Sequence, residues 1–173
     1  MTDGTNLPIS EHISTRLVVF PDDEKFLEEL YASTREEDAA MWGMPEEQSA
    51  ALVDMQYRAQ KMQYEAQYPD ARHEIILFEG KPVGRLMSTR SEAEVFAIDI
   101  AILTEYRSRG IGAVVFQELI REAEESKRPL NFSVVISNIK AIRFYQRLGM
   151  DFVGNTGSHY LVRWEPKLAN EKL

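Results

Sequence analysis

Apolar and polar positions along the chain switch repeatedly between a period of two and a period of 3.6, and each switch marks an element boundary. The run from His12 to Phe20, which contains Leu-Val-Val-Phe, reads as a first strand. Pro21-Asp-Asp-Glu then opens a helix, with acids in its first turn and Phe26, Leu27, Leu30 and Tyr31 on one face. Ala40-Met-Trp-Gly-Met-Pro45 breaks it. A long helix follows from about Pro45 to Gln67, with Leu52, Met55, Ala59, Met62 and Ala66 at helical spacing. His73 to Phe78 and Pro82 to Ser88 are strands joined by Glu79-Gly80-Lys81, a hairpin signal, and Val95 to Leu103 is the next strand. A helix from Gly110 to Ser126 turns Ile111, Val115, Leu119 and Ala123 inward. Leu130 to Ile136 is rich in strand formers, a helix follows from Asn138, and Phe152-Val and Tyr160-Leu-Val-Arg-Trp164 are the last strands. The order β-α-α-β-β-β-α-β-α-β-β predicts an α/β protein. No repeat or linker interrupts it, so residues 1–173 read as a single domain with loose tails at about 1–8 and 166–173.

Composition narrows the chemistry. There is no cysteine, which removes disulfides, thiolate metal ligands and cysteine nucleophiles, and no metal site is read from the sequence. The N-terminus lacks a basic stretch followed by an apolar one, and no apolar run approaches the roughly 18 residues of a membrane span. A cytoplasmic chain without membrane contact is the expectation. The net charge is −8, and Pro21 to Glu47, with ten acids against Lys25 and Arg35, accounts for all of it. Such a field repels a nucleic-acid backbone and draws in a cationic partner.

The most informative segment is Ile100-Ala-Ile-Leu-Thr-Glu-Tyr-Arg-Ser-Arg-Gly-Ile-Gly-Ala113. An apolar strand ends in a short turn, and two arginines with two glycines then open a helix. Arg107 and Arg109 are fork-shaped cationic donors. Gly110 and Gly112 clear side chains where backbone N–H groups approach a ligand. The helix start adds unpaired N–H groups and the positive end of a dipole. A phosphorylated cofactor fits this chemistry. A P-loop would need Lys and then Ser or Thr after the last glycine, where Ala113-Val114 stands, and a dinucleotide fingerprint would need a small residue at Val115.

A second motif follows at Asn138-Ile-Lys-Ala-Ile-Arg-Phe-Tyr-Gln-Arg-Leu-Gly149. Asn138 suits a helix N-cap and Gly149 a left-handed C-terminal position. Between them Ala141, Phe144, Tyr145 and Leu148 form one stripe at i, i+3, i+4 and i+7. With Arg107-x-x-Gly110-x-Gly112 upstream, the pair resembles the two cofactor segments of the GCN5-related N-acetyltransferase (GNAT) superfamily. The likeness is specific from about Val95 to Met150 and weaker before it.

The resemblance implies a mixed central sheet of about seven strands flanked by helices and splayed between the fourth and fifth strands. It also implies transfer of an acetyl group from acetyl-CoA to a primary amine by direct attack. Backbone groups around Ala101, Ile102 and Leu103 would meet the thioester. Arg107, Ser108, Arg109, Gly110, Ile111, Gly112 and Ala113 would hold the pyrophosphate, and Asn138 the pantetheine side. Tyr145 stands at the family's general-acid position, with a cofactor-positioning role as the alternative. For the base, alternation places Asp99 on a face with Val95, Ala97, Ala101 and Leu103, where apolar neighbours would favour proton uptake. Asp99 could equally be tied into a structural ion pair. Glu92, Glu94 and a water chain are the other options.

The acceptor is less legible. Glu36, Glu37 and Asp38, next to Met41-Trp42, with Tyr57, Tyr64 and Tyr68 along the long helix, would suit a cationic amine through charge and cation–π contact. The same residues also read as a solvated acidic face and a tyrosine stripe at a core edge or homodimer seam. Two further readings stay open: a non-catalytic acyl-CoA-binding module on the same fold, and arginines that bind a nucleotide.

Overall fold

The computed structural model describes residues 8–167. Its elements are β1 (Ile13–Leu17), α1 (Glu24–Met41), α2 (Glu46–Gln67), β2 (Arg72–Phe78), β3 (Lys81–Arg90), β4 (Val95–Ile102), α3 (Ile111–Ser126), β5 (Leu130–Val135), α4 (Ile139–Arg147), β6 (Asp151–Asn155) and β7 (His159–Trp164). The order is the one the sequence predicts. The strands form one mixed seven-stranded sheet in the order β1-β2-β3-β4-β5-β7-β6. Its parallel pair is β4 with β5, and their register runs only from Val95↔Leu130 to Ala97↔Phe132, at the starts of both strands. The expected tails lie outside the described residues except for Pro8, Pro166 and Lys167. The Pro8 carbonyl accepts from Glu11 N–H in a short 3-10 turn.

The described chain divides into two compact units. One takes the chain up to Met87 together with Asp99–Val114, and the other takes Ser88–Ile98 together with the chain from Val115 onward.

In the first unit, α1 packs on α2 around Leu27, Tyr31, Val53, Tyr57 and Ile75, with Phe26, Trp42 and Leu77 against them. β1 runs antiparallel to β2 from Ile13↔Phe78 to Leu17↔Glu74. It stops at Leu17, short of the Phe20 expected from its apolar run. Asp23 is the cause. Its buried carboxylate accepts from both terminal nitrogens of Arg16 at 2.7 Å and from Val19 N–H at 2.8 Å, which turns the chain before it can extend. β2 and β3 form the expected hairpin, with Glu79 and Gly80 at φ of 51° and 77° as a tight two-residue turn requires. The apolar stripe of α2 does not enter the core: Met55 and Met62 are exposed, while Val53 and Tyr57 are buried.

In the second unit, β7 lies between β5 and β6 and is antiparallel to both. Phe116 and Leu119 of α3, Phe132 and Val134 of β5, Tyr145 of α4 and Val162 of β7 are all buried, and the rings of Phe116, Phe132 and Tyr145 pack on one another. Arg90 at the end of β3 makes a bidentate pair with Glu122 of α3, at 2.8 and 2.7 Å.

Candidate functional site

The arginine loop belongs to the first unit, and its shape follows from its sequence. Ser108 and Gly110 have φ of 60° and 85°, so the chain turns twice through left-handed backbone before α3 begins. The helical ladder starts with Val114 N–H donating to the Gly110 carbonyl at 3.1 Å. The N–H groups of Ile111, Gly112 and Ala113 lie in the first turn, where no helical carbonyl is available to them. Arg107, Ser108, Arg109 and Gly110 are exposed. Both arginines are already aimed: Arg107 Nε donates to the Ile102 carbonyl at 3.0 Å, and the Arg109 guanidinium lies 5.0 Å from the Tyr106 ring centre. Exposed cationic forks beside free first-turn N–H groups fit a diphosphate.

Two contacts that fix this loop carry no sequence signal. Ser33 of α1 and Thr104 exchange three hydrogen bonds: Thr104 N–H to Ser33 Oγ at 3.0 Å, Thr104 Oγ1 to the Ser33 carbonyl at 3.0 Å, and the two hydroxyls at 2.9 Å. Gly84 of β3 faces β4 so closely that a Cβ there would collide with the Ala101 carbonyl oxygen and lie 3.3 Å from Ile102. Neither a lone Ser nor a strand glycine announces such a duty.

Of the three residues expected at the thioester, Leu103 has its N–H donating to Val83 and its carbonyl accepting from Tyr106, both at 2.9 Å. Ile102 spends a carbonyl lone pair on Arg107. Asp99 is not surrounded by apolar groups alone. Its Oδ2 accepts from Arg85 Nε at 2.8 Å, and Arg85 Nη2 donates to Gln60 Oε1 at 2.7 Å. Glu92 is exposed, and Glu94 accepts from Asn131 Nδ2 at 2.5 Å.

The proposed acceptor groups separate. Glu36 and Glu37 are exposed, whereas Asp38 accepts from Arg35, which in turn lies over Tyr31 at 5.2 Å. Tyr57 points into the core and donates to Glu24 at 3.0 Å; burial pushes its hydroxyl pKa up. Tyr64 meets Tyr68 edge to face at 6.4 Å and has the Arg85 guanidinium 5.9 Å from its ring centre. Burial, reinforced by the Asp99 charge, pushes the Tyr64 hydroxyl up to about 12.

The second motif lies in the other unit. Asn138 caps α4 as expected, its Oδ1 accepting from Ala141 N–H at 3.1 Å. Gly149 has φ of 75°, with its N–H bonded to the Gln146 carbonyl and that of Met150 to Tyr145, a Schellman closure. Tyr145 is buried in an aromatic cluster, with ring centres 4.4 Å from Phe132, 4.9 Å from Phe116 and 5.1 Å from Phe144. Among the described residues no group of three or more His, Asp and Glu is placed to hold a metal, and no helix is long and apolar enough to cross a membrane.

Comparison with known proteins agrees with this anatomy. The model of the acetyltransferase (GNAT) family matches residues 27–150. A curated relative, the "Probable N-acetyltransferase san" of Drosophila melanogaster, is 31% identical over 84 residues; the match covers 47% of this chain and 45% of the fly protein. The chain thus matches under half the length of that relative. Among solved structures, the PaiA N-acetyltransferase of Thermoplasma acidophilum in complex with coenzyme A superposes with a TM-score of 0.66 at 16% identity, over 88% of this chain and 98% of that one. Naa50 of Arabidopsis thaliana, in complex with the bisubstrate analogue CoA-Ac-MVNAL, does so with a TM-score of 0.58 at 16% identity, over 89% and 99%.

Proposed function

Because this chain belongs to the GNAT acetyltransferase family, we propose that it transfers an acetyl group from acetyl-CoA to a primary amine that is cationic at neutral pH. The observation that carries this reading is the loop from Arg107 to Ala113. Left-handed turns at Ser108 and Gly110 open α3 with two exposed arginines and unpaired first-turn N–H groups. CoA supplies the diphosphate such a cradle binds.

The chemistry then follows proton by proton. An alkyl ammonium, with a pKa near ~10.4, must lose a proton before its nitrogen can attack the thioester carbon. The carbonyl oxygen gains negative charge as the C–N bond forms, and a backbone N–H of β4 near Ala101 or Ile102 is assigned to it. Collapse breaks the C–S bond; the nitrogen gives up its second proton to water as the neutral amide forms, and the departing thiolate takes a proton, a role given to the Tyr145 hydroxyl. Asp99 is the assigned proton acceptor, held by Arg85 through one carboxylate oxygen. Asn138 is assigned to the pantetheine arm. The acidic surface of α1 at Glu36 and Glu37 favours a cationic acceptor, either a small polyamine-like molecule or a protein amine. The peptide-linked CoA held by the Arabidopsis neighbour supports the second. A cytoplasmic location is inferred from the sequence.

Free-thiol release from acetyl-CoA against a panel of amines and peptide N-termini tests the proposal. Turnover with at least one amine supports it. Tight acetyl-CoA binding with no thiol release on any amine would make the chain an acyl-CoA-binding module. Thermal protection by ATP or NAD and none by CoA would overturn the cofactor assignment. Glu36, Glu37 and Asp38 changed together to Ala are expected to raise the acceptor KM and leave acetyl-CoA affinity intact.

A further inference from the structure

Helix α2 has two apolar faces with different fates. On one, Val53 and Tyr57 are buried, and Gln60 and Lys61 reach Arg85 and Glu24. The other carries Leu52, Met55, Ala59, Met62 and Ala66, whose alternating three- and four-residue steps are the spacing of a coiled-coil seam. Met55 is 59% and Met62 70% exposed, Ala59 and Ala66 are exposed, and Leu52 is half-buried. Scattered apolar residues on a surface need no explanation, but a continuous stripe in seam register on a 22-residue helix does.

We propose that this stripe is an isologous interface on which a second copy of the chain lays its own α2 antiparallel. Side-chain size and charge select both the occupant and the direction. In the antiparallel register, Met62 of one copy meets Ala59 of the other and Met55 meets Ala66, so each methionine faces a small side chain and the helices can approach closely. The flanking positions then set Arg58 of one copy against Glu65 of the other, twice by symmetry. Arg58, 71% exposed, leans on Asp54 at 3.0 Å and retains donors to reach across. Shifting the helices by one heptad would set Arg58 against its own copy. Parallel packing would stack Met62 on Met62 and leave Arg58 beside Gln63 with no opposite charge. The interface is independent of the acetyl-transfer chemistry.

The absence of cysteine permits a direct test. Sedimentation of the full chain is expected to show a concentration-dependent dimer. Mixing the Met55→Cys and Ala66→Cys variants under mild oxidation should give the mixed disulfide, with each variant alone giving far less. Met62→Glu should abolish the dimer and, because the side chain is exposed, melt at the parent's temperature when both are measured at concentrations too low for the parent to dimerise. Arg58→Glu should weaken dimerisation about tenfold, and Arg58→Glu combined with Glu65→Arg should restore it. A chain that stays monomeric at its highest soluble concentration would overturn the proposal. So would disulfides that join like positions, or a dimer indifferent to Met62→Glu and to the charge exchange.

Discussion

Arg85 donates from Nε to Oδ2 of Asp99 at 2.8 Å, joining neighbouring strands of the first unit by an ion pair whose arginine is only 8% exposed. Gln60 and the Tyr64 ring also meet that guanidinium. Removing the carboxylate would strand a buried cation. Asp99→Ala is expected to destabilise the fold by about 2–4 kcal/mol, read from denaturant titration. Asp99→Asn keeps an acceptor for Nε and should cost less than half of that. Its kinetics separate proton transfer from scaffolding. As a base, Asp99 should lose about 10²-fold in kcat on amidation, together with the acidic limb of the pH–rate profile. A change confined to stability would make it purely a partner of Arg85.

Arg107 and Arg109 should matter to binding more than to turnover, because a diphosphate is remote from the reacting carbon. Each charge-assisted contact contributes about 1.5–3 kcal/mol, so Arg107→Ala or Arg109→Ala should raise the acetyl-CoA KM roughly 10- to 100-fold with kcat within a few-fold. The effect should shrink as salt rises. Arg107→Ala also removes the bond to the Ile102 carbonyl, so it should be the more damaging of the two. Equal loss of kcat and kcat/KM would show the arginines acting only in the transition state.

Gly84 has no side chain with which to touch a cofactor, yet its substitution should weaken cofactor binding. A Cβ at this position must displace the Ala101 carbonyl, and backbone cannot yield as a side-chain tip can. Gly84→Ala is expected to cost about 1–3 kcal/mol in stability and to lower acetyl-CoA affinity in the folded population. Calorimetric titration with acetyl-CoA on the folded protein, without amine, checks it; unchanged affinity would separate β4 from the thioester.

Local patterns made the element order, the Glu79–Gly80 turn, the Asn138 cap and the Gly149 closure legible, because each depends on residues adjacent in sequence. What stayed hidden depends on distant pairs. Asp23 ends β1 early through Arg16, and Ser33 reaches Thr104, across spans no periodicity records. The α2 stripe shows the opposite failure. Helical spacing at Leu52, Met55, Ala59, Met62 and Ala66 was plain, but spacing alone does not say which of two apolar faces the core takes. Tyr57 decides it, through Glu24 and the Tyr31 ring 5.7 Å away. In the candidate site, Gly110 takes the left-handed turn its residue type suits, whereas Ser108 does so with no such signal and the partner of Asp99 lies 14 residues away on another strand.

Stability should fall in two stages as pH drops. Burial pushes His73 down from 6.5 to about 4, with the Arg85 charge adding to the effect, and its Nε2 has no hydrogen-bond partner. Between those values the unfolded chain binds a proton the folded chain refuses, so this contribution is full above pH 6.5 and is lost toward pH 4. Hydrogen bonds from the Arg16 guanidinium hold Asp23 at about 2, below its ordinary 3.8. Its contribution is complete above 3.8 and disappears as pH falls through about 2. Urea midpoints across this range should slope downward through both windows. His73→Phe should flatten the upper slope and leave the lower one, and an unchanged upper slope would exclude His73 as its source.

Tyr145→Phe isolates the hydroxyl from the ring. The ring's contacts with Phe116, Phe132 and Phe144 need only an aromatic face, so the variant should fold with stability within about 1.5 kcal/mol of the parent. If the hydroxyl protonates the departing sulfur, kcat should fall about 10²-fold while the acetyl-CoA KM holds. The defect should then depend on the leaving group. An acetyl thioester of an aryl thiol expels a stable aryl thiolate that needs no proton, so the variant should approach the parent rate with such a donor. A constant defect across donors, or a raised KM with kcat intact, would leave Tyr145 as an aromatic support for the cofactor and give the proton to water.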